Sequence, residues 1–167
     1  MIPQLSTDRL TLRPARMDDL PDYTAFLATD RCRYMGGPHP AREAWNWFCN
    51  DTAQWALLGM GGLLIVPRGA ASAVGQVAVC HGPIFPEPEL GWFLYDGHEG
   101  KGYATEAAAL MRDWAFGPRG LTALVSYVDP ANTASARVAR RLGAEIDPNA
   151  ATPDNTPTDV WRHRRPV

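Results

Sequence analysis

The feature that most constrains the fold is a glycine-containing turn between a predicted strand and a predicted helix. The apolar and aromatic run 90–95 has the length and composition of a β-strand. After the turn, apolar side chains recur with helical spacing at Tyr103, Ala107, Leu110, Met111 and Trp114. Gly100 and Gly102 permit a sharp bend and leave no Cβ to block a ligand, although glycines in such a turn can also serve the backbone alone. Because the first N–H groups of a helix lack intrahelical partners, the turn is a candidate site for a phosphate or pyrophosphate.

Two classes of anion ligand fit such a turn, and the spacing of small residues separates them. A dinucleotide-binding fold requires G-x-G-x-x-G/A in its first strand–helix unit and an acidic residue after the next strand. Thr105 occupies the third small position, although Asp129 does follow the next predicted strand. Since the turn also lies at mid-chain, the dinucleotide interpretation is poor.

The same segment resembles motif A of the GNAT N-acetyltransferases, Gln/Arg-x-x-Gly-x-Gly/Ala. Glu99, Gly102 and Ala104 occupy its three defining positions, and Gly-Lys-Gly-Tyr-Ala-Thr-Glu-Ala is similar to the RimJ/RimL branch of that family. The resemblance implies that the turn holds the phosphates of coenzyme A, mainly through backbone N–H groups, at Glu99, Gly100, Lys101, Gly102, Tyr103, Ala104 and Thr105. Glu99 departs from the motif, because an acid beside a pyrophosphate is unfavourable unless it points away.

Two further matches extend the resemblance over nearly the whole chain. Residues 7–14 are similar to the RimJ/RimL opening, Thr-x-Arg-Leu-x-Leu-Arg. Residues 129–144 resemble the family pattern Asn-x-x-Ser-x-x-x-x-x-x-Leu-Gly-Phe, with Asn132 and Ser135 in place and Ala144 instead of Phe.

Periodicity and the resemblance together predict one α/β (α+β) domain over residues 1–167. We expect the GNAT fold, with a central mixed, mostly antiparallel sheet of about six to seven strands flanked by helices. Strands are predicted over 7–14, 61–66, 73–81, 89–95, 121–128 and 160–164. Helices are predicted from 18 to 27, 41 to 58, 103 to 116 and 132 to 143, with loops over 30–40, 82–88 and 147–159.

Composition excludes several classes of function. The net charge of −2 gives no support for a nucleic-acid-coating role, and no apolar run approaches the roughly 20 residues of a membrane helix. Cys32, Cys49 and Cys80 lack metal-ligand spacing and suggest free thiols in a reducing cytosol. The N-terminus does not begin a signal peptide. We therefore expect a cytoplasmic monomer or homodimer without a metal, and neither nucleic acid nor membrane as a partner.

The resemblance also implies contacts for the rest of the coenzyme. Backbone groups of Trp92, Phe93 and Leu94 are expected to pair with the pantetheine arm as a neighbouring strand would, with Leu94 the favoured residue. Asn132 resembles the asparagine that contacts coenzyme A, and the same side chain can equally cap a helix. Trp45, Phe48, Thr52 and Trp55 form one stripe of the second helix. The aromatic residues of this helix fit either the core or an acceptor pocket, namely Trp45, Trp47, Phe48 and Trp55.

Acetyl transfer from a thioester to an amine needs a neutral amine and a donor for the departing thiolate. Glu89 is the candidate base, since burial beside Gly91 could raise its pKa, and an exposed strand-end carboxylate is the alternative. His81 is a weaker candidate, and His98 fits a turn. Ser135 occupies the position that the RimJ/RimL branch uses to donate a hydrogen bond to the departing sulfur. The alternative is that its hydroxyl hydrogen-bonds the backbone in the first turn of its helix. Ala139 stands where many GNAT enzymes have a tyrosine.

These observations predict an acetyl-CoA-dependent N-acetyltransferase that acts by direct transfer on a primary amine. The acceptor is either a protein N-terminus or a small amine. The alternative, which Glu99 and Ala139 favour, is a non-catalytic coenzyme A-binding sensor or interaction module.

Overall fold

The computed structural model describes residues 1–154 and 156–165, in which eight strands form one sheet in the order β1-β2-β3-β4-β5-β6-β8-β7. The strands are β1 Leu5–Ser6, β2 Leu10–Arg13, β3 Gly62–Pro67, β4 Gly75–Gly82, β5 Phe85–Leu94, β6 Val125–Val128, β7 Glu145–Ile146 and β8 Asp159–Arg162. The helices are α1 Leu20–Leu27, α2 Ala41–Leu58, α3 Tyr103–Phe116 and α4 Thr133–Arg141, with 3₁₀ turns at Met17–Asp19 and Asp30–Met35. Neighbouring strands are antiparallel except β5 and β6, which are parallel.

The mixed, mostly antiparallel sheet confirms the predicted fold class, with eight strands where six to seven were expected. The unpredicted strands, β1 and β7, have two residues each. Strands this short carry too few residues to show alternation. The bounds of α2 and α3 agree with the prediction.

Three local predictions were wrong. The segment 30–40 contains a 3₁₀ helix, and the predicted strand 121–128 begins only at Val125. β5 begins at Phe85, inside the predicted loop 82–88, because the fixed φ of proline is compatible with extended backbone at Pro86 and Pro88. Residue 155 of the predicted loop 147–159 and residues 166–167 of the predicted domain lie outside the described residues.

β5 contributes to hydrophobic cores on both faces of the sheet. Leu90 packs with Met111 and Ala107 of α3, whereas Phe93 packs against Tyr23 and Phe26 of α1. Alternate side chains of a strand point to opposite faces. Odd-numbered residues of β5 near Phe93 therefore face α1 and α2, and even-numbered ones face α3 and α4. Burial of each large apolar side chain contributes about 1.5–3 kcal/mol.

The buried face of α2 is rotated from the predicted one. The predicted stripe was Trp45, Phe48, Thr52 and Trp55, but Trp45 is 43% exposed and Thr52 is exposed. The buried positions are Ala44, Phe48, Asp51, Gln54 and Trp55. Phe48 and Trp55 thus belong to the core, and the helix also buries a carboxylate. None of the helices in the described ranges combines the length and the hydropathy needed to span a bilayer.

Candidate active site

The site is organised around an opening between β5 and β6. The two strands share one register pair in the described part of the chain, Glu89 opposite Val125. Beyond that pair β5 continues to Leu94 and β6 to Val128, yet they do not pair again there. Parallel strands that separate in this way leave backbone groups facing each other across a gap.

Strand alternation identifies which backbone groups face the opening. The carbonyl of Leu90 accepts a hydrogen bond from Ser126 Oγ of β6 at 2.5 Å, so the backbone of Leu90 points toward β6. By alternation, the N–H and C=O groups of Trp92 and Leu94 also face that side. Phe93 pairs with Gln76 of β4, and its ring stacks on Phe26 at 4.7 Å. Two of the three residues predicted to pair with a pantetheine arm therefore face the gap, and Phe93 does not.

The turn after β5 has the backbone geometry that its glycines predict. Gly97, Gly100 and Gly102 have φ values of 78°, 75° and 81°, in the left-handed region that favours glycine. The ammonium group of Lys101 donates to the Gly97 carbonyl at 3.1 Å and closes the turn, while the His98 N–H bonds to Tyr95 O. His98 is thus a turn residue.

The helix that follows the turn begins without a side-chain cap from the described residues. Gly102 is its N-cap residue, and the first positions are Tyr103, Ala104 and Thr105. Their N–H groups are the ones that an intrahelical bond cannot satisfy. The turn and the helix N-terminus therefore present free donors, with the positive end of the helix dipole, to an anion.

A set of contacts from the N-terminal segment holds this turn in place, and the sequence did not predict it. Arg9 donates through Nε to Glu106 at 2.8 Å and through a second nitrogen to the Lys101 carbonyl at 3.1 Å. Arg9 also pairs with Glu106 through Nη2, and Thr7 Oγ1 donates to the same carboxylate. Its guanidinium lies 5.5 Å from the centre of the Tyr103 ring. Two of the three family-like segments, 7–14 and 98–107, thus meet in space. Their joint presence was the only feature of the sequence that indicated this contact.

Glu99, the acid at the first motif position, is paired with a cation from the segment between α1 and α2. Arg31, in the 3₁₀ turn after α1, forms an ion pair with Glu99 and a longer one with Asp96 at 3.4 Å. It also donates to the Leu94 carbonyl at 3.3 Å. The charge that made Glu99 unfavourable beside a pyrophosphate is therefore compensated.

Glu89 lies where β5 and β6 begin to separate, and its side chain is partly buried on the face of α1 and α2. Burial raises the pKa of Glu89 to about 7; the charge of Asp51 adds to this, and a hydrogen bond from the Tyr127 backbone opposes it. A Cβ placed at Gly91, the next residue on this face, would meet only Glu89 Oε1 at 4.0 Å among the described atoms. Gly91 thus leaves open space beside a carboxylate that titrates near neutral pH.

A buried polar network adjoins Glu89, and it too was missed. Asp51 of α2 accepts hydrogen bonds from Gln76 Nε2 at 2.6 Å and from Tyr23 Oη at 3.4 Å, and Cys80 Sγ lies 3.9 Å from it. Cys80 stands opposite Glu89 in the sheet. Burial raises the pKa of Asp51, although its hydrogen bonds oppose the rise. The sequence feature that could have indicated this network is Asp51 itself, an acid three residues after Phe48 on the apolar face of α2.

One wall of the opening is β5 with the turn that follows it, and the other is β6 with the N-terminus of α4. Asn132 caps the helix, with Oδ1 accepting from Ser135 N at 3.1 Å, which leaves its amide nitrogen available to a ligand. Ser135 is partly buried, and Ala139 is fully buried against Trp161 and Val128. Position 139 thus belongs to the core. Tyr34, in the 3₁₀ turn Asp30–Met35, donates to the Ala131 carbonyl at 3.2 Å.

Other candidates lie outside this arrangement. His81 lies at the register shift in β4, where its backbone N–H donates to Gln54 Oε1 at 3.1 Å. Its ring takes part in no hydrogen bond of the described residues. Two surface cavities, of about 480 and 690 Å³, are lined by none of the predicted site residues. The arrangement thus leaves Glu89 as the candidate base.

Known proteins resemble the chain in sequence and in fold. Residues 9–145 match the acetyltransferase (GNAT) domain family. A crystal structure of an acetyltransferase from Agrobacterium tumefaciens strain C58 is 48% identical, covers 99% of this chain and 96% of its own, and superposes with a TM-score of 0.95. YkkB of Bacillus subtilis is 28% identical over 146 residues, 84% of each chain. RimL, a ribosomal L7/L12 α-N-protein acetyltransferase solved with coenzyme A, shares the fold at 16% identity, with a TM-score of 0.75 over 96% of both chains.

Proposed function

The chain belongs to the GNAT acetyltransferase family, whose members are acyl-CoA-dependent N-acyltransferases, and from this premise we propose that it transfers an acetyl group from acetyl-CoA directly to a primary amine. The observation that carries the proposal is the opening at the single register pair of Glu89 and Val125. The β5 side of this opening leads to the turn before α3, which is rich in hydrogen-bond donors. The carboxylate of Glu89 lies where the two strands come together.

The chain offers contacts for the pantetheine arm and for the pyrophosphate of the coenzyme. Backbone groups of Trp92 and Leu94 face the gap and would pair with the amide groups of pantetheine as a strand edge does. The turn from Glu99 to Thr105 would hold the pyrophosphate through backbone N–H groups. The amide nitrogen of Asn132, left free by the capping bond, supports a contact from the opposite wall.

The side chains around the opening support direct transfer. The thioester supplies an electrophilic carbonyl; the C–N bond to the acceptor forms as the C–S bond breaks. Glu89 takes the proton that the amine loses, a role for which a pKa of about 7 is suited. Ser135 donates a hydrogen bond to the departing sulfur. Since the two substrates are held together, no covalent intermediate on the protein is needed.

The proposed acceptor is the free α-amine of a protein, in the manner of the RimJ/RimL branch, with a small primary amine as the second choice. Sequence segments 7–14 and 98–107 support this assignment, as does the fold shared with RimL. An α-amine has a pKa of about 7.7–8.0. Part of such an amine is neutral at physiological pH, so a base with a pKa near 7 is sufficient to take the proton that the amine loses on acylation.

Thiol release from acetyl-CoA, measured across a panel of N-terminal peptides and small amines, tests the proposal. We expect turnover with at least one primary amine and a product whose mass is increased by one acetyl group. Tight acetyl-CoA binding without turnover on any amine would instead identify a non-catalytic coenzyme A-binding module. Absence of acetyl-CoA binding would refute the site itself.

A further inference from the structure

The 3₁₀ turn Asp30–Met35 connects the two walls of the opening. A 3₁₀ helix has three residues per turn, so residues i and i+3 lie on the same side. Cys32 is fully buried in the core with α1, and Met35 packs against the same core. Arg31 and Tyr34 form the next pair, and they reach Leu94 O on one wall and Ala131 O on the other. The turn therefore directs Arg31 and Tyr34 toward the opening, and its buried side fixes their position.

Arg31 is the cation that faces the acid of the phosphate-binding turn. Its side chain is 35% exposed and pairs with Glu99, which is 45% exposed, and with Asp96, which is 90% exposed. The other cations near the turn have different partners: Arg9 pairs with Glu106, and Lys101 donates to Gly97 O. Asp96 is so exposed that solvent screens its charge. Among the described residues, Arg31 is thus the cation that pairs with Glu99.

An uncompensated Glu99 would repel the ligand that the turn is built to hold. Two like charges at short range interact unfavourably by an amount that grows as water is excluded, and a bound coenzyme excludes water from the turn. The backbone N–H groups of a helix N-terminus provide only about half a unit of positive charge. A full negative charge inside the turn would outweigh that contribution.

We propose that Arg31 is a positioning residue of the coenzyme site: it neutralises Glu99 and so allows the turn to bind the coenzyme phosphates. This inference rests on the proposed acetyl-CoA site and assigns part of the site to the segment between α1 and α2. That segment packs against the sheet face on which Glu89 lies, so the charge at the phosphate turn is controlled from the face of the candidate base.

A double-mutant cycle measured by calorimetry with coenzyme A tests the proposal. Arg31→Ala should weaken binding on the order of tenfold, because Glu99 is left unpaired beside the phosphates. Glu99→Gln alone should change affinity little, and Arg31→Ala with Glu99→Gln should recover most of the lost affinity. Arg31→Lys keeps the charge and should bind nearly as the wild type does.

Arg33→Ala is the matched control. It removes the same charge from the same 3₁₀ turn, where Arg33 contacts the Asp30 carbonyl at 3.2 Å and the Tyr34 ring at 4.5 Å. It should bind coenzyme A as the wild type does, and thermal melts of all variants check folding.

Two results would overturn the inference: unchanged affinity in Arg31→Ala, or a loss that Glu99→Gln fails to restore. The second would assign Arg31 a role other than neutralising Glu99. A wild-type protein that does not bind coenzyme A would overturn the proposed function instead, so the two failures are distinguishable.

Discussion

At the scale of single residues, Glu89 combines three features that are rarely found together on a structural carboxylate. It lies at the only point where β5 and β6 pair in the described chain, it borders the empty space left by Gly91, and its pKa is raised to about 7. An exposed strand-end carboxylate, the alternative interpretation of the sequence, would have none of them. The buried neighbour Asp51 contributes to the raised pKa.

Glu89→Gln should lower kcat/KM roughly 100-fold at pH 7.5, the range expected for loss of one general base. Wild-type kcat/KM should fall below pH about 7 as Glu89 takes up a proton. The variant should lack this limb and keep only the ionisation of the acceptor, so the ratio of the two rates should approach one at low pH. A ratio that stays constant from about pH 6 to 9 would assign Glu89 a structural or substrate-binding role.

Ser135→Ala tests the proposed donor to the sulfur. Because the bond would strengthen only as the thiolate departs, kcat should fall roughly 10-fold or more while the affinity for acetyl-CoA stays near the wild-type value. Steady-state kinetics and calorimetry measure the two quantities separately. If both stay unchanged, Ser135 only completes the first turn of α4.

At the scale of elements, sequence patterns predicted what depends on local spacing and failed where distant segments meet. The bounds of α2 follow from its own periodicity, and the capping bond of Asn132 follows from its position before α4. The buried face of α2 does not follow from its periodicity, because contacts with Gln76 and Cys80 of the sheet bury Asp51 in place of Thr52. The pairing of Arg31 with Glu99 joins segments distant in sequence, and no local signal indicates it.

Arg9→Ala tests whether the N-terminal segment positions the coenzyme turn. The change removes the contacts to Glu106 and to Lys101 O, so KM for acetyl-CoA should rise about threefold to tenfold with kcat largely retained. Arg9→Lys should restore this only in part, since lysine cannot make the bidentate contact. Arg68→Ala is the control, because Arg68 is exposed and contacts the same segment through Thr7 O at 3.1 Å. An unchanged KM in Arg9→Ala would refute the positioning role.

At the scale of the whole molecule, two groups with shifted pKa values make stability depend on pH in opposite directions. His163 is 4% exposed, and its Nδ1 has no partner among the described residues. Burial, together with the charge of Arg112, lowers the pKa of His163 to about 4. Between about pH 6.5 and 4 the unfolded chain therefore binds a proton that the native state does not, and His163 lowers stability as pH falls. Glu89 acts oppositely between about pH 7 and 4.5, because the native state takes up its proton first.

His163→Gln should remove the first contribution. Relative to the wild type, its free energy of unfolding should improve as pH falls from 6.5, by about 3 kcal/mol when pH 4 is reached. Urea denaturation at pH 7, 6, 5 and 4 measures this difference, in which the contributions of all other groups cancel. A difference that does not change with pH would mean that the pKa of His163 is the same in the native and unfolded states, and a difference of the opposite sign would mean that His163 is protonated in the native state.

The central claim is that coenzyme A binds in the opening between β5 and β6 with its phosphates on the turn before α3. Calorimetric titration of acetyl-CoA into wild type, Gly102→Val and Gly69→Val tests it most directly. Both glycines have left-handed backbone, with φ of 81° and 79°, so both substitutions impose similar backbone strain. A Cβ at Gly102 would also come within 3.4 Å of Arg9 Nη2, whereas Gly69 lies in the turn between β3 and β4. We predict that wild type and Gly69→Val bind with similar affinity and that Gly102→Val does not bind measurably although it remains folded. Equal affinity in Gly102→Val and Gly69→Val would contradict the account.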